Sequence, residues 1–206
     1  MSEQEPARHP DHSDLRGNSM SYLRTFLPWI VFAVIPSGNW QWGALAALVV
    51  SVALIAQQKR GGAGLDALVI ECGSAVFFAA LAAVAFADPH SGVHEYSAAL
   101  SSGTLAVIAG VSLAAGRPFT LGIAKRTTPR ELWTLKPFIR INVVITAVWT
   151  AAFAVTAVVL ALLDRSGHAH STPATLVQIA GFAVPMVFTI RYVAHAQAKA
   201  AGQVTR

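Results

Sequence analysis

Glu71 is the residue whose type and position could do the most chemistry. It sits inside an apolar run, residues 67–87, where a carboxylate has no water to solvate it and needs a partner. It lies five residues beyond Asp66, which places it about 7.5 Å into a helix at 1.5 Å per residue. Arg117, which closes the next apolar run, is the expected partner, with Arg191 in reserve. Two chemistries are open to such a group. One is an intramembrane ion pair (Glu71 with Arg117 or Arg191) that fixes helix register. The other is a proton or cation relay, which needs a polar file continuing along the helix. Beyond Glu71 its own stripe offers only Ala75, Ala79, Ala83 and Ala87, so the ion pair is the expected reading.

His90, His94, His168 and His170 form the second constellation, with Asp88, Glu95 and Asp164 close in sequence. An i, i+4 histidine pair with carboxylates suits zinc, nickel or copper. Polar loop tips collect the same residues through solvation alone, and no HExxH or CxxC framework is present, so no metal site is assigned. His9 and His12 lie on a polar tail and read as solvated. Cys72 is the sole cysteine; it can form no intrachain disulfide. Lacking a histidine in its own run to support a thiolate, it reads as a small core residue. There is no GxSxG, no phosphate-cradling glycine loop and no carboxylate pair. No catalytic residue and no cofactor is expected, and the chain reads as a non-enzyme.

The elements that must position these residues are hydrophobic runs. Of 206 residues, 54% are hydrophobic and 12% charged, against about 25% charged in a soluble domain. Mean hydropathy is +0.54. The net charge of +5 comes from basic residues at the ends of apolar runs rather than from a continuous patch, so a nucleic-acid partner is not expected. The expected fold is an all-α polytopic membrane bundle of six short transmembrane helices with a cytoplasmic interfacial helix. The spans fall at about 20–36, 41–57, 66–87, 96–116, 138–163 and 173–191, after a disordered tail over 1–19 and before a cytoplasmic tail over 193–206. The first run is short for a crossing, which needs roughly 20 residues. Were it re-entrant, five spans would remain and the amino terminus would change sides.

Six spans put every Lys and Arg except Arg165 on one side. That partition predicts a multi-pass protein of the cytoplasmic membrane with both termini cytoplasmic. Trp40 and Trp42 have the placement of an interfacial aromatic belt. Small residues recur every four positions at Ala75, Ala79, Ala83 and Ala87, and again at Ala98, Ser102, Ala106, Gly110 and Ala114. The third and fourth helices are therefore expected to pack as a close antiparallel pair.

Residues 117–142 carry six of the fifteen Lys and Arg residues. Within them Thr128-Pro129-Arg130-Glu131 has the form of a capping box. It predicts a short helix on the membrane face over 128–136, with Trp133 at headgroup level. Arg130, Trp133 and Lys136 make this either a connector steered by anionic lipid or a docking surface for another protein. Membrane lipid and a second copy of the chain are further expected partners.

Several motifs, taken in order, resemble those of the intracellular septation protein A (YciB-like) family of small inner-membrane proteins. They are Phe26-Leu-Pro28-Trp-Ile-Val-Phe32, Trp42-Gly-Ala-Leu45 closing on Lys59-Arg60, Arg117-Pro118-Phe119, Asn142, Trp149, and Phe188-Thr189 running into Arg191-Tyr192. The loops at 88–95 and 165–172 lie outside the resemblance, which is that of a distant, actinobacterial-type member. It implies a non-enzymatic role in envelope integrity or cell division, exercised through contacts with envelope-synthesis and division proteins. Pro28, Arg117, Pro118, Asn142 and Trp149 are the family-like positions. The runner-up reading, a small oligomeric transporter or channel, would use Glu71.

Overall fold

The fold was analysed in a computed structural model that describes residues 24–62, 68–126, 128–169 and 171–204. Among these every regular element is helical: α1 (Arg24–Val34), α2 (Trp40–Arg60), α3 (Val69–Ala87), α4 (Ser97–Ala114), α5 (Phe119–Ala124), α6 (Lys136–Arg165) and α7 (Thr172–Val204). Single 3-10 turns stand at Ser37–Asn39, Gly92–His94 and Arg130–Leu132. The expected amino-terminal tail lies outside the described residues. Five helices, α2, α3, α4, α6 and α7, are long and apolar enough to cross a bilayer. Their outward side chains are apolar as well, among them Val49, Val76, Val107, Val155 and Val184. A helix exterior of this kind is stable in hydrocarbon and not in water. The chain is a membrane-embedded all-α bundle.

α1 is shorter, about 16 Å at the standard helical rise, and it lies antiparallel to α2. At one end the Arg24 guanidinium donates to the Gln57 side-chain carbonyl. At the other, Phe32 and Ile35 lie 3.3 and 3.4 Å from where a Cβ would project from Gly43. Gly43 has no side chain, which is what lets the two helices close at that end.

An aromatic core fastens α1 to the rest. Phe26 stacks on Trp149 of α6 at 4.9 Å and meets Phe182 of α7 edge-on at 5.5 Å. Trp29 packs on Phe77 and Phe78 of α3 at 5.1 and 4.7 Å. Offset and edge-on contacts of this kind add roughly 0.5–1.5 kcal/mol each beyond area burial. Both indoles are tied by hydrogen bonds. Trp29 Nε1 donates to Ser74 Oγ at 2.8 Å, and Trp149 Nε1 donates to Thr189 Oγ1 at 3.0 Å.

Pairing differs from the small-residue expectation. α3 packs chiefly on α2, and α4 chiefly on α6, while α3 and α4 share only a minor contact centred on Gly73 and Ile108. The α3 stripe turns outward, with Ala79, Ala83 and Ala87 exposed. α4 instead brings Gly103 towards Ala157 and Gly110 towards Thr150 of α6. A stripe of small residues marks where a backbone can approach, without saying which backbone does.

Other expectations are corrected too. Cys72 is exposed on α3 rather than in the core. Trp42 stands outward against Phe86, as a belt residue does, but Trp40 is buried and donates from Nε1 to the Pro89 carbonyl at 3.0 Å, clamping the 88–95 loop. The helix expected over 128–136 is only the 3-10 turn Arg130–Leu132: Pro129 occupies the cap position and no side chain caps it. α6 begins afresh at Lys136, with Pro137 in its first turn. Nor are the helices uniformly short. α6 has 30 residues and α7 has 33, and α7 runs on past Arg191 to Val204.

Candidate functional site

The polar end of the bundle is built by the way α4 stops. Gly116 takes φ +69°, which ordinary side chains resist and glycine accepts. The Arg117 N–H then returns to the Ser112 carbonyl at 2.9 Å and the Gly116 N–H to the Leu113 carbonyl at 3.0 Å, the two bonds of a Schellman close. Pro118 follows, and the chain folds back as α5. The Ser112 hydroxyl accepts from the Phe119 N–H at 3.1 Å, satisfying a first-turn donor of α5 that has no partner within the helix.

α5 is then held against α6. Thr120 Oγ1 donates to the Asn142 carbonyl at 3.0 Å and lies 2.8 Å from Thr146 Oγ1. Asn142 Nδ2 donates to the Phe138 carbonyl at 2.9 Å, and Phe119 packs edge-on to both Phe26 and Trp149 at 6.4 Å. Four of the family-like positions, Pro28, Pro118, Asn142 and Trp149, are thus buried in or beside one packed region. Arg117 stays exposed at its edge.

Arg126, two residues past the end of α5, reaches Glu71. Its Nη2 lies 3.2 Å from Glu71 Oε1 and also donates to Gln58 Oε1. Gln58 Nε2 donates to the same Glu71 oxygen at 2.8 Å. Glu71 is 2% exposed and Arg126 23%. The ion pair expected of Glu71 therefore exists, with a different arginine. Arg117 and Arg191 are both exposed, and neither is the residue that meets Glu71. The physical reason is the fold-back of α5, which carries Arg126 to the α2–α3 ends while Gly116 leaves Arg117 outside. Gln58 was also missed; its only sequence signal was a polar side chain two residues from the end of an apolar helix. The three residues form a clasp joining the ends of α2, α3 and the α5 connector. With Oε1 of Glu71 committed to two donors, the clasp neutralises and fixes a charge.

Next to Arg126 in the chain, a second group gathers around the half-buried Trp133. Trp133 Nε1 donates to the Thr128 carbonyl at 2.9 Å, which fixes the indole plane. Lys125 Nζ lies 5.2 Å and the Arg130 guanidinium 5.7 Å from the ring centroid. Both are within cation–π range. Lys136 and Arg140 are exposed nearby in sequence, with Leu132 and Leu135 exposed between the charges.

The described histidines do not assemble. His94 packs against the Trp40 ring at 5.5 Å, His168 Nδ1 lies 3.1 Å from Ser166 Oγ, and the exposed His90 uses its backbone N–H on Asp88. His170 lies outside the described residues, and among those described no three His, Cys, Asp or Glu side chains group to hold a metal.

A scan against protein-family models and searches of curated proteins and of solved structures returned no match to this chain.

Proposed function

We propose that this chain is a non-enzymatic multi-pass protein of the cytoplasmic membrane, with six crossings and both termini cytoplasmic, that acts in envelope maintenance or cell division by contacting other proteins at the 117–142 face. The observation that carries the reading is the Trp133 platform: an indole locked by its own hydrogen bond, flanked by Lys125 and Arg130 and bordered by exposed leucines. Aromatic and arginine side chains of this kind anchor protein interfaces. The clasp supports it by holding the connector rigidly to the bundle, so that the platform is presented without ordering cost. The charge partition supports the orientation, since all basic residues except Arg165 fall on the platform's side in the six-crossing arrangement. The resemblance to the septation protein A family supports the biological setting.

The alternative, a transporter using Glu71, requires that carboxylate to meet a solute or a proton path. Its Oε1 instead accepts from Gln58 and Arg126.

The test is in-cell photocrosslinking from a photoreactive residue placed at position 133, with positions 130 and 136 as companions. Adducts with envelope-synthesis or division proteins, lost on Arg130→Glu without loss of membrane insertion, are the expected outcome. Recovery of lipid or self adducts alone would overturn the docking reading.

A further inference from the structure

α6 carries two cations on the face it turns away from the bundle. Asn142, Trp149 and Phe153 are buried on its inner side, whereas Lys136, Arg140, Val143, Ala147, Val158 and Leu162 are exposed. At 3.6 residues per turn those six fall within a sector of about 100°, so they form one outward stripe. From Arg140 to Leu162 the stripe runs about 33 Å at the standard rise, and a hydrocarbon core is roughly 30 Å thick. Arg140 therefore stands at the edge of the hydrocarbon, and Lys136, one turn earlier, in the headgroup layer.

Neither charge is answered by the protein. Among the described residues no acidic side chain pairs with Lys136 or Arg140, and the ion pair found there joins Arg126 to Glu71. Residues 117–142 hold six Lys and Arg against one acid, Glu131. Helix stability does not account for the two cations, because a helix dipole disfavours positive charge near its start and no acid stands in the first turn of α6. The positive-inside bias accounts for their side of the membrane. It does not account for their sharing one face with an apolar stripe.

We propose that this face binds an anionic glycerophospholipid, with the phosphate and acidic headgroup on Lys136 and Arg140 and an acyl chain along Val143 and Ala147. Charge complementarity selects the headgroup, and the stripe selects its source. A free phosphate meets the cations alone. An acidic segment of a water-soluble protein stops at the membrane surface, since extended backbone is not stable in hydrocarbon. Each basic side chain close to the surface raises anionic-lipid occupancy about fivefold, an effect that salt weakens. The site uses the outward face of α6 and not the Trp133 platform, so its failure would leave the docking reading as it stands.

The test reconstitutes the full-length protein in dioleoyl phosphatidylcholine vesicles containing a trace of phosphatidylglycerol or, in parallel, of phosphatidylcholine, each carrying a diazirine near the head of one acyl chain. Photo-adducts at Val143 and Ala147 are expected at least threefold more often with the phosphatidylglycerol probe. At Val76, an exposed side chain of α3, the two probes should label equally. The preference should vanish in Lys136→Gln/Arg140→Gln, weaken in each single variant and shrink in high salt. Inorganic phosphate at matched ionic strength should leave it unchanged, which separates a lipid site from a phosphate site. Thermal unfolding in detergent verifies that the variants fold, and the single variants stand in should the double one misfold. Equal labelling at Val143 by both probes, the same preference at Val76, its survival in the variants, or its loss to inorganic phosphate would overturn the inference.

Discussion

Arg126 and Glu71, 55 positions apart in the chain, stand 3.2 Å apart at the polar end of the bundle, with Gln58 bonded to both. The pair is asymmetric: the carboxylate is almost fully buried and the guanidinium keeps partial contact with its surroundings. Removing the arginine strands a buried charge, which costs about 3–5 kcal/mol where both partners are fully buried. Arg126→Gln is therefore expected to destabilise the protein by about 2 kcal/mol or more, and Glu71→Gln by less, since the amide keeps an acceptor for Gln58 and Arg126 reaches solvent. Arg117→Gln and Arg191→Gln should stay within about 0.5 kcal/mol of the wild type, as exposed substitutions do. Thermal unfolding of the four variants in one detergent decides it; equal losses for Arg117 and Arg126 would show that the clasp does not hold the bundle.

The Trp29–Ser74 hydrogen bond is a polar tie between α1 and α3, set beside the Trp29, Phe77 and Phe78 rings. Hydrogen bonds between membrane helices average about 0.6 kcal/mol and reach about 1.7. Trp29→Phe and Ser74→Ala should each cost in that range, with the tryptophan change costing more because it also loses ring area. In a double-mutant cycle Ser74→Ala should add little once Trp29→Phe is in place. Full additivity would mean that the bond contributes nothing and that ring packing holds Trp29 on α3.

Much of the architecture was legible because apolar runs long enough to cross a bilayer have few alternatives to helix. The buried state of Glu71 was legible for the same reason. Its partner was not, because α5 is six residues long and too short for a period to register. The signals that existed were Gly116 and Pro118 on either side of Arg117, which stop α4 and turn the chain. The pairing of helices was obscured by the solvent itself: in hydrocarbon both the lipid-facing and the neighbour-facing sides are apolar, so Ala79 and Ala83 on the outside read like Gly103 and Gly110 on the inside. The 128–136 segment shows the limit of a capping signature. Thr128 and Glu131 have the right spacing, yet Pro137 starts a separate helix one turn later and leaves room only for a 3-10 turn.

Two glycines make contrasting predictions. A Cβ on Gly181 would run into Thr156 Oγ1 and lie 3.0 Å from its Cγ2, while one on Gly73 would lie 2.5 Å from Ile108 Cδ1 and 2.9 Å from its Cγ1. Threonine and isoleucine both branch at Cβ and have little χ1 freedom in a helix, but rotation about χ2 can carry Ile108 Cδ1 aside, and Thr156 has no such rotation. Gly181→Ala is expected to cost about 1–3 kcal/mol by overpacking, and Gly73→Ala less than Gly181→Ala. Thr156→Ala should recover most of the Gly181→Ala loss and none of any Gly73→Ala loss. Unfolding midpoints of the two singles and the two doubles check this, and failure of the Thr156 rescue would mean that α6 and α7 do not meet at this point.

The antiparallel lie of α1 on α2 carries the topology. Arg24 bonds Gln57 at one end while Ile35 closes on Gly43 at the other. α1 is about half as long as α2 at the standard helical rise, so it carries the chain across only where the bilayer thins locally around it. Sided labelling tests the crossing. After Cys72→Ala, single cysteines introduced as Ser2→Cys, Gly38→Cys, Lys59→Cys and His90→Cys are exposed in turn to a membrane-impermeant maleimide in intact cells and in inverted vesicles. Gly38→Cys and His90→Cys should label from outside, and Ser2→Cys and Lys59→Cys only from the cytoplasmic side. Labelling of Ser2→Cys from outside would reduce the crossings to five and place α1 as a re-entrant segment packed on Trp149 and Phe78.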